Sequence, residues 1–288
     1  FNKIHNRGDD LGQSAYYHLA DCYLKTGKKT EAQSAFFRAS ESGKDQSLRE
    51  DAYFNYAKLA YDSSTPFEQP LDIFKAFLST YPNSRYRQEA NEYLANLYLN
   101  SKDYESAMKA ISAAGLDQPT MQGAYQKVAY FRGVQHFNAI QYTAARRLFN
   151  KSLDYPLNNI YAALAHYWLA EIAYREDDFD AALLEINMFE ATPGSATLSE
   201  YRRSLYNKAY AYFSKEDYRN AATTFRLFLN SAKLGKKLAN DAELRLADSY
   251  FMTAQYANAI TYYTTYLGRQ VPDADYAAFQ RSLCYGLV

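Results

Sequence analysis

Residues 161–189 read YAALAHYWLAEIAYREDDFDAALLEINMF, and this stretch decides the fold. From Tyr161 to Arg175 the residues Leu164, Tyr167, Trp168, Leu169, Ile172 and Ala173 give a broad apolar face at steps of three and four. That is the period of a helix rather than the alternation of a strand. From Phe179 to Phe189 the same steps recur in Phe179, Ala182, Leu183, Ile186 and Phe189. Asp178 stands before the second run, where its carboxylate can cap the free amides of a helix start. Asp103 before Tyr104 and Asp217 before Tyr218 repeat the arrangement. The stretch predicts two short helices folded back on each other. Neither is long enough to be stable alone, and one pair cannot cover its own apolar face.

Outward from this hairpin the pattern fills the chain. A small residue in the first helix falls at Ala20, Ala57, Ala95, Gly133, Ala170, Ala209 and Ala247, at spacings of 37, 38, 38, 37, 39 and 38. An alanine in the second helix falls at Ala32, Ala107, Ala145, Ala182, Ala221 and Ala259, with Pro70 in the second slot. Those spacings are 38, 37, 38, 37, 39 and 38. Two independent positions that keep one rhythm through seven cycles mark an array of helical hairpins. Pro82, Pro119, Pro156 and Pro193 lie 37 apart and follow second-helix runs, as befits a residue that cannot continue a helix. Stacked hairpins cover one another's apolar faces, so the expected architecture is an all-α solenoid. The small slots mark where paired helices cross closely. The unusually many aromatics, 30 Tyr and 17 Phe, fill the gaps between those crossings.

Composition excludes several functions. Lys plus Arg equals Asp plus Glu at 32 each, so no basic excess is available to grip nucleic acid. Two cysteines, Cys22 and Cys284, cannot staple 288 residues. No apolar run approaches the ~18 to 20 residues of a membrane helix. There is no glycine-rich phosphate loop, no Gly-x-Ser-x-Gly elbow and no His-Glu-x-x-His, so no catalysis, cofactor or metal is expected. His18 and Asp21 are one helical turn apart, but a hydrogen-bonded histidine is the stronger reading than a metal ligand. Cys22, beside Tyr23 and Leu24, reads as a packed inert thiol. Lys233, Lys236 and Lys237 read as a solvated loop between repeats.

At this point the residues resemble the tetratricopeptide repeat family, whose pattern runs Trp-x-x-Leu-Gly-x-x-Tyr, then Ala-x-x-x-Phe, then Pro. The first repeat matches at Tyr16, Leu19, Ala20, Tyr23, Ala32 and Phe36. The third matches at Leu94, Ala95, Tyr98, Ala107, Ile111 and Pro119, and the seventh at Leu246, Ala247, Tyr250, Ala259 and Tyr263. Arg132 and Lys208 depart from the Leu slot, Pro70 from the alanine slot, and the period exceeds the usual ~34 residues. The resemblance implies a right-handed α-α superhelix of about seven pairs plus a partial eighth. Residues 1–12 are expected to be the remnant of a preceding element, 13–275 the seven repeats, and 276–288 the first helix of a truncated eighth. The chain opens on Phe1 without an initiating Met and reads as a piece of something longer. Phe279, Leu283 and Leu287 are expected to face solvent or a second copy.

The resemblance also implies that first helices line a groove. Residues four apart flanking the small slot share one helix face: Tyr17 with Asp21, Phe54 with Lys58, Glu92 with Asn96, Tyr130 with Val134, Tyr167 with Glu171, Tyr206 with Tyr210, and Leu244 with Asp248. Such an aromatic stripe suits a protein or peptide partner, because large rigid side chains bind at low entropic cost. The competing reading is that part of the stripe packs against the next repeat. The same stripe would also suit a platform for envelope glycan, or a non-catalytic arm of a larger cell-wall enzyme. Tyr81-Pro82-Asn83-Ser84-Arg85-Tyr86 resembles a motif in repeats of bacterial envelope proteins, and the tyrosine-rich array resembles long repeat proteins of Bacteroidetes-type bacteria. That likeness implies a periplasmic or envelope location.

Overall fold

The computed structural model describes residues 9–63, 69–231, 235–269 and 273–288. The described residues are all-α, with fifteen α-helices, one short 3-10 turn and no strand. They divide into two compact units, 1–132 and 133–288. The first unit holds α1 (Asp10–Lys25), α2 (Lys29–Glu41), α3 (Gln46–Ser63), α4 (Pro70–Thr80), α5 (Arg87–Asn100) and α6 (Tyr104–Ala114). The boundary falls inside α7 (Pro119–Asn138). The second unit continues with α8 (Tyr142–Leu153), α9 (Asn159–Arg175), α10 (Phe179–Ala191), α11 (Glu200–Ser214), α12 (Tyr218–Leu229), α13 (Lys236–Met252), α14 (Tyr256–Leu267) and α15 (Ala274–Leu287). Odd-numbered helices are the first members of hairpins and even-numbered helices the second. Each unit is a solenoid of such hairpins in which consecutive helices pack along the chain.

The small slots are the centres of the crossings. Ala20, Ala57, Ala95, Ala209, Ala247, Ala32, Ala107, Ala145, Ala182, Ala221 and Ala259 are fully buried, and Ala170 nearly so. Glycine at 133 has its own cause: a Cβ there would stand 2.6 Å from the Phe149 ring on α8. Four residues past each second-helix slot sits the knob that fills the gap. Phe36, Phe74, Ile111, Phe149, Ile186, Phe225 and Tyr263 are all buried at 1% exposure or less. Cys284 takes the small slot of the eighth first helix and is fully buried. Pro70 is a real departure. It opens α4 and is half-buried, so this helix starts at the slot that lies a full turn inside the others.

The turns within hairpins obey one rule. Six first helices, α1, α5, α7, α9, α11 and α13, run into a residue of positive φ: Gly27, Lys102, Ile140, Asp177, Glu216 and Ala254. In every case the next amide reaches back five residues, as in Asp178 N to Ala173 O at 2.9 Å and Gln255 N to Tyr250 O at 2.9 Å. This double closure satisfies the last carbonyls of the helix. The chain then enters the second helix, with Asp103, Asp178 and Asp217 each accepting from the amide three residues on.

Cys22 differs from expectation: it is exposed. Two past the small slot, Leu59, Ile172, Ala211 and Ser249 are buried, Leu97 is half-buried and Gln135, like Cys22, is exposed. Lys236 and Lys237 are exposed at the start of α13, whereas Lys233 and residues 1–8 lie outside the described residues. Asp9 caps α1 through the amide of Gly12. Phe279, Leu283 and Leu287 on α15 are exposed.

Substitutions at two kinds of position read this packing in opposite directions. Ala182→Leu, like Ala95→Leu, is expected to overpack a crossing and cost about 1 to 3 kcal/mol. Ile140 is β-branched, sits at φ 60 and is 74% exposed, so it bears strain and buries little. Ile140→Gly is expected to stabilise by about 1 kcal/mol. Thermal melts check both: an unchanged Tm for Ala182→Leu, or a lower one for Ile140→Gly, contradicts this packing scheme.

Candidate functional site

In the second unit α9, α11 and α13 lie side by side, joined by side chains from the sequence-predicted stripe. Tyr206 and Tyr210 on α11 both donate their hydroxyls to Asp241 on α13, Tyr206 at 2.6 Å. Asn207 Nδ2 donates to Glu171 Oε1 on α9. Asp248 accepts from Arg245 at 2.7 Å, from Tyr263 at 2.7 Å and from Tyr276 on α15 at 3.1 Å. The rings carrying these hydroxyls pack on each other and on α12: Tyr206 lies 4.9 Å from Tyr210 and 5.2 Å from Phe228. Tyr167 stands edge-on to Trp168 at 5.2 Å.

Burial sets the electrostatics. It raises the hydroxyl pKa of Tyr167 and Tyr210, and pushes Tyr206 up to about 12, with the bond to Asp241 as the second cause. These phenols therefore remain donors at neutral pH. Burial also raises the Asp248 carboxyl, against the lowering pull of Tyr263 and Arg245.

In the first unit the loop motif at 81–86 is a clamp on α3. Ser84 Oγ donates to Glu50 at 2.5 Å. Arg85 donates to both Asp51 oxygens, at 2.5 and 2.7 Å, and the Tyr86 hydroxyl donates to the same carboxylate at 3.0 Å. The Tyr86 ring stacks on Phe54 with centroids 4.3 Å apart. Lys58 on α3 pairs with Glu89 on α5 at 2.9 Å.

The predicted stripe therefore divides. Tyr130, Tyr167, Glu171 and Asp248 are buried, as are Phe54 and Leu244. Tyr17, Asp21, Lys58, Tyr206 and Tyr210 are half-buried, and Asn96 is exposed. Sequence reasoning missed the acceptor that ties the stripe together, the aspartate six residues before the small slot. Asp51 before Ala57 and Asp241 before Ala247 share that position, so the spacing alone would have found it. It also missed Arg203, in the same slot before Ala209. Its guanidinium sits 5.5 Å from the Tyr206 ring centre. Among the described residues no group of three or more His, Cys, Asp or Glu converges to hold a metal. No described helix is long and apolar enough to cross a membrane.

Hairpins stacked through one helix face define a helical-repeat scaffold. Residues 134–196 and 206–275 match a tetratricopeptide repeat model, and residues 13–41 match a second. The chain belongs to the tetratricopeptide repeat family, whose members serve in general as non-catalytic scaffolds for protein–protein interaction. No curated protein matches it. Among solved structures it is similar to a tetratricopeptide repeat protein from Parabacteroides merdae, at 13% identity and TM-score 0.39, covering 95% of this chain and 98% of that one. It is similar to the C-terminal part of a repeat-containing protein from Cytophaga hutchinsonii, at 18% and 0.43, covering 80% and 87%. It is also similar to the TPR2AB domain of yeast Sti1, solved as a complex with pHSP90, at 13% and 0.44, covering 96% and 98%.

Asp248 gives this unit a signed pH dependence. Its folded pKa is raised, so the contribution is fully present below the unfolded value of about 3.9 and is lost as pH rises through the folded value. Asp248→Asn removes that step. The Tm difference between variant and parent is expected to move in the variant's favour as pH rises above about 4. A difference that moves the other way contradicts the assignment.

Proposed function

We propose that the chain is a non-catalytic scaffold that binds a protein or peptide partner along its odd-helix face, within a bacterial envelope complex. The observation that carries this reading is the pair Tyr206 and Tyr210. Both rings are half-open, and both hydroxyls are tied to Asp241, so they are held in place before any partner arrives. Aromatic side chains already fixed in one rotamer lose little further entropy on binding. In the first unit, taken by itself, Tyr17 is half-buried and Asn96 exposed on their first helices.

The envelope placement is our reading of the motif at 81–86 and of the tyrosine-rich array. Tyr81, Ser84, Arg85 and Tyr86 of the motif are engaged with α3, so these four do structural duty in any compartment. Self-association through Phe279, Leu283 and Leu287 on α15 belongs to the same reading, since those apolar side chains are exposed.

A photo-crosslinking residue at Tyr206 or Tyr210, in cells expressing the native gene, is expected to capture one shared partner, with none captured from Leu227 on α12. Capture from Leu227 alone, or different proteins from each site, overturns the odd-helix face. Recovery of the protein from the cytosol of those cells overturns the envelope placement. Sedimentation as a monomer at high concentration, unchanged by Leu283→Glu, overturns self-association.

A further inference from the structure

We propose that the even-helix face of the second unit docks on an anionic phospholipid surface. This face lies on other helices than the tyrosine pair, so it and the odd-helix partner surface stand or fall separately.

The register of the even helices defines the face. Each buries its small slot: Ala145 on α8, Ala182 on α10, Ala221 on α12 and Ala259 on α14. At about 100° per residue, the positions two before the slot and two, five and six after it turn to the opposite side. The residues at those positions are exposed, with Lys151 half-buried.

They carry charge of one sign. Arg147 and Lys151 stand there on α8, and Arg219 and Arg226 on α12. Among the described residues none of the four comes within ion-pair distance of a carboxylate. The one carboxylate at these positions, Asp180, is held by Lys215 at the end of α11. The other carboxylates of α10 are engaged within the stack, Glu185 with His166 at 2.7 Å and Glu190 with Lys208 at 2.6 Å. The exposed Asp154, Asp177 and Glu216 stand at the rims, Asp154 past the end of α8 and the other two on the hairpin turns. Helix α14 adds no charge at all. The first unit contrasts with this. At the same positions Asp72 lies 3.9 Å from Lys75 on α4, and Glu105 pairs with Lys109 at 3.0 Å on α6.

Between the two cationic helices, α10 presents Leu184, 62% exposed, and Met188, and α12 adds Leu227. Cations flanking apolar tips match a layer with phosphate at its surface and acyl chains beneath. Guanidinium forks take phosphate oxygens bidentately, and the aliphatic stems of Arg and Lys let the charges stay among headgroups while the leucines enter below. A nucleic-acid backbone would leave Leu184, Met188 and Leu227 in water. The cations extend over two hairpins from α8 to α12, which suits a broad layer better than one seated peptide. The chain as a whole is balanced in charge, so the attraction belongs to this face and is screened by salt.

The test is sedimentation of the whole chain with vesicles of phosphatidylcholine, alone or mixed with phosphatidylglycerol, at rising salt. Binding is expected to the mixed vesicles only, and to weaken as salt rises. Arg147→Ser with Arg226→Ser is expected to weaken it on the order of tenfold or more. Arg203→Ser on the odd helix α11 leaves it unchanged. These side chains are exposed, and an unchanged Tm verifies that the variants fold. Cys284 is buried, so in a Cys22→Ser background a dye sensitive to polarity can be placed on Leu184→Cys or Arg203→Cys. It is expected to brighten with the mixed vesicles at the first position and to stay dark at the second. No binding to the mixed vesicles overturns the proposal. So does binding untouched by loss of the two arginines, or a dye that brightens at position 203 and not at 184. Retention on polyglutamate that needs both arginines, without vesicle binding, makes the partner an acidic protein and overturns the lipid layer as well.

Discussion

Each hairpin of this chain depends on a close approach of two helix backbones, and that approach is possible only where the intervening side chain is a methyl group or a hydrogen. Eleven of these positions are alanines with no exposed surface, and Gly133 sits where even a methyl would strike Phe149. The alanines themselves contribute little burial. Their effect is on everything around them, because they bring the helices near enough for Phe36, Phe149 or Phe225 to be buried between them. A longer side chain at the slot would separate the helices and leave those rings without partners on one side. The rest of the stack follows, since every hairpin offers the next the same spaced row of knobs.

Backbone geometry at the hairpin turn is the second constraint, and it operates with little help from side chains. Glycine takes the left-handed position only at Gly27. Lys102, Ile140, Asp177, Glu216 and Ala254 take it elsewhere. Each such residue carries a penalty of roughly 1 to 2 kcal/mol. It is tolerated because the same turn closes two backbone hydrogen bonds that would otherwise leave helix-end carbonyls bare. Asp103, Asp178 and Asp217 then cap the following helix, whereas Gln141 and Gln255 occupy the same position without a side-chain bond. The turn is therefore held by backbone closure first and by the cap second.

The fold was legible in the sequence because its determinants are local and periodic. Ala-slot spacing, the apolar steps of Tyr161 to Phe189 and the Asp caps each report on a contact within one hairpin or with the next. The candidate site was legible only in part. Tyr17, Tyr206 and Tyr210 keep an open edge, as the shared helix face implied, but Tyr130, Tyr167, Glu171 and Asp248 on the same face are buried. Which of these occurs depends on the residue supplied by the adjoining first helix, some 31 to 36 positions away. Periodicity within one helix carries no information about that residue. Cys22 departs from expectation in the same way: its slot is buried at Leu59, Ile172 and Ala211 but exposed at Gln135, so position in the repeat alone does not set its burial.

The slot six residues before the small one explains how a repeated scaffold acquires a local chemical character. Where it holds Asp51 or Asp241, hydroxyl and guanidinium donors from adjacent hairpins converge on the carboxylate and close the seam. Where it holds Arg203, the tyrosine of the preceding helix has no acceptor across the seam. Tyr167 accordingly turns to Glu171, one turn along its own helix, at 3.5 Å. The guanidinium is left exposed beside the Tyr206 ring. A change of charge at one slot thus replaces a contact across the seam with a solvent-exposed guanidinium, while the alanine crossings beneath it are undisturbed. Arrays of this kind separate what holds the stack together from what it presents: the small slots and their knobs do the first, and the residues six positions earlier decide the second.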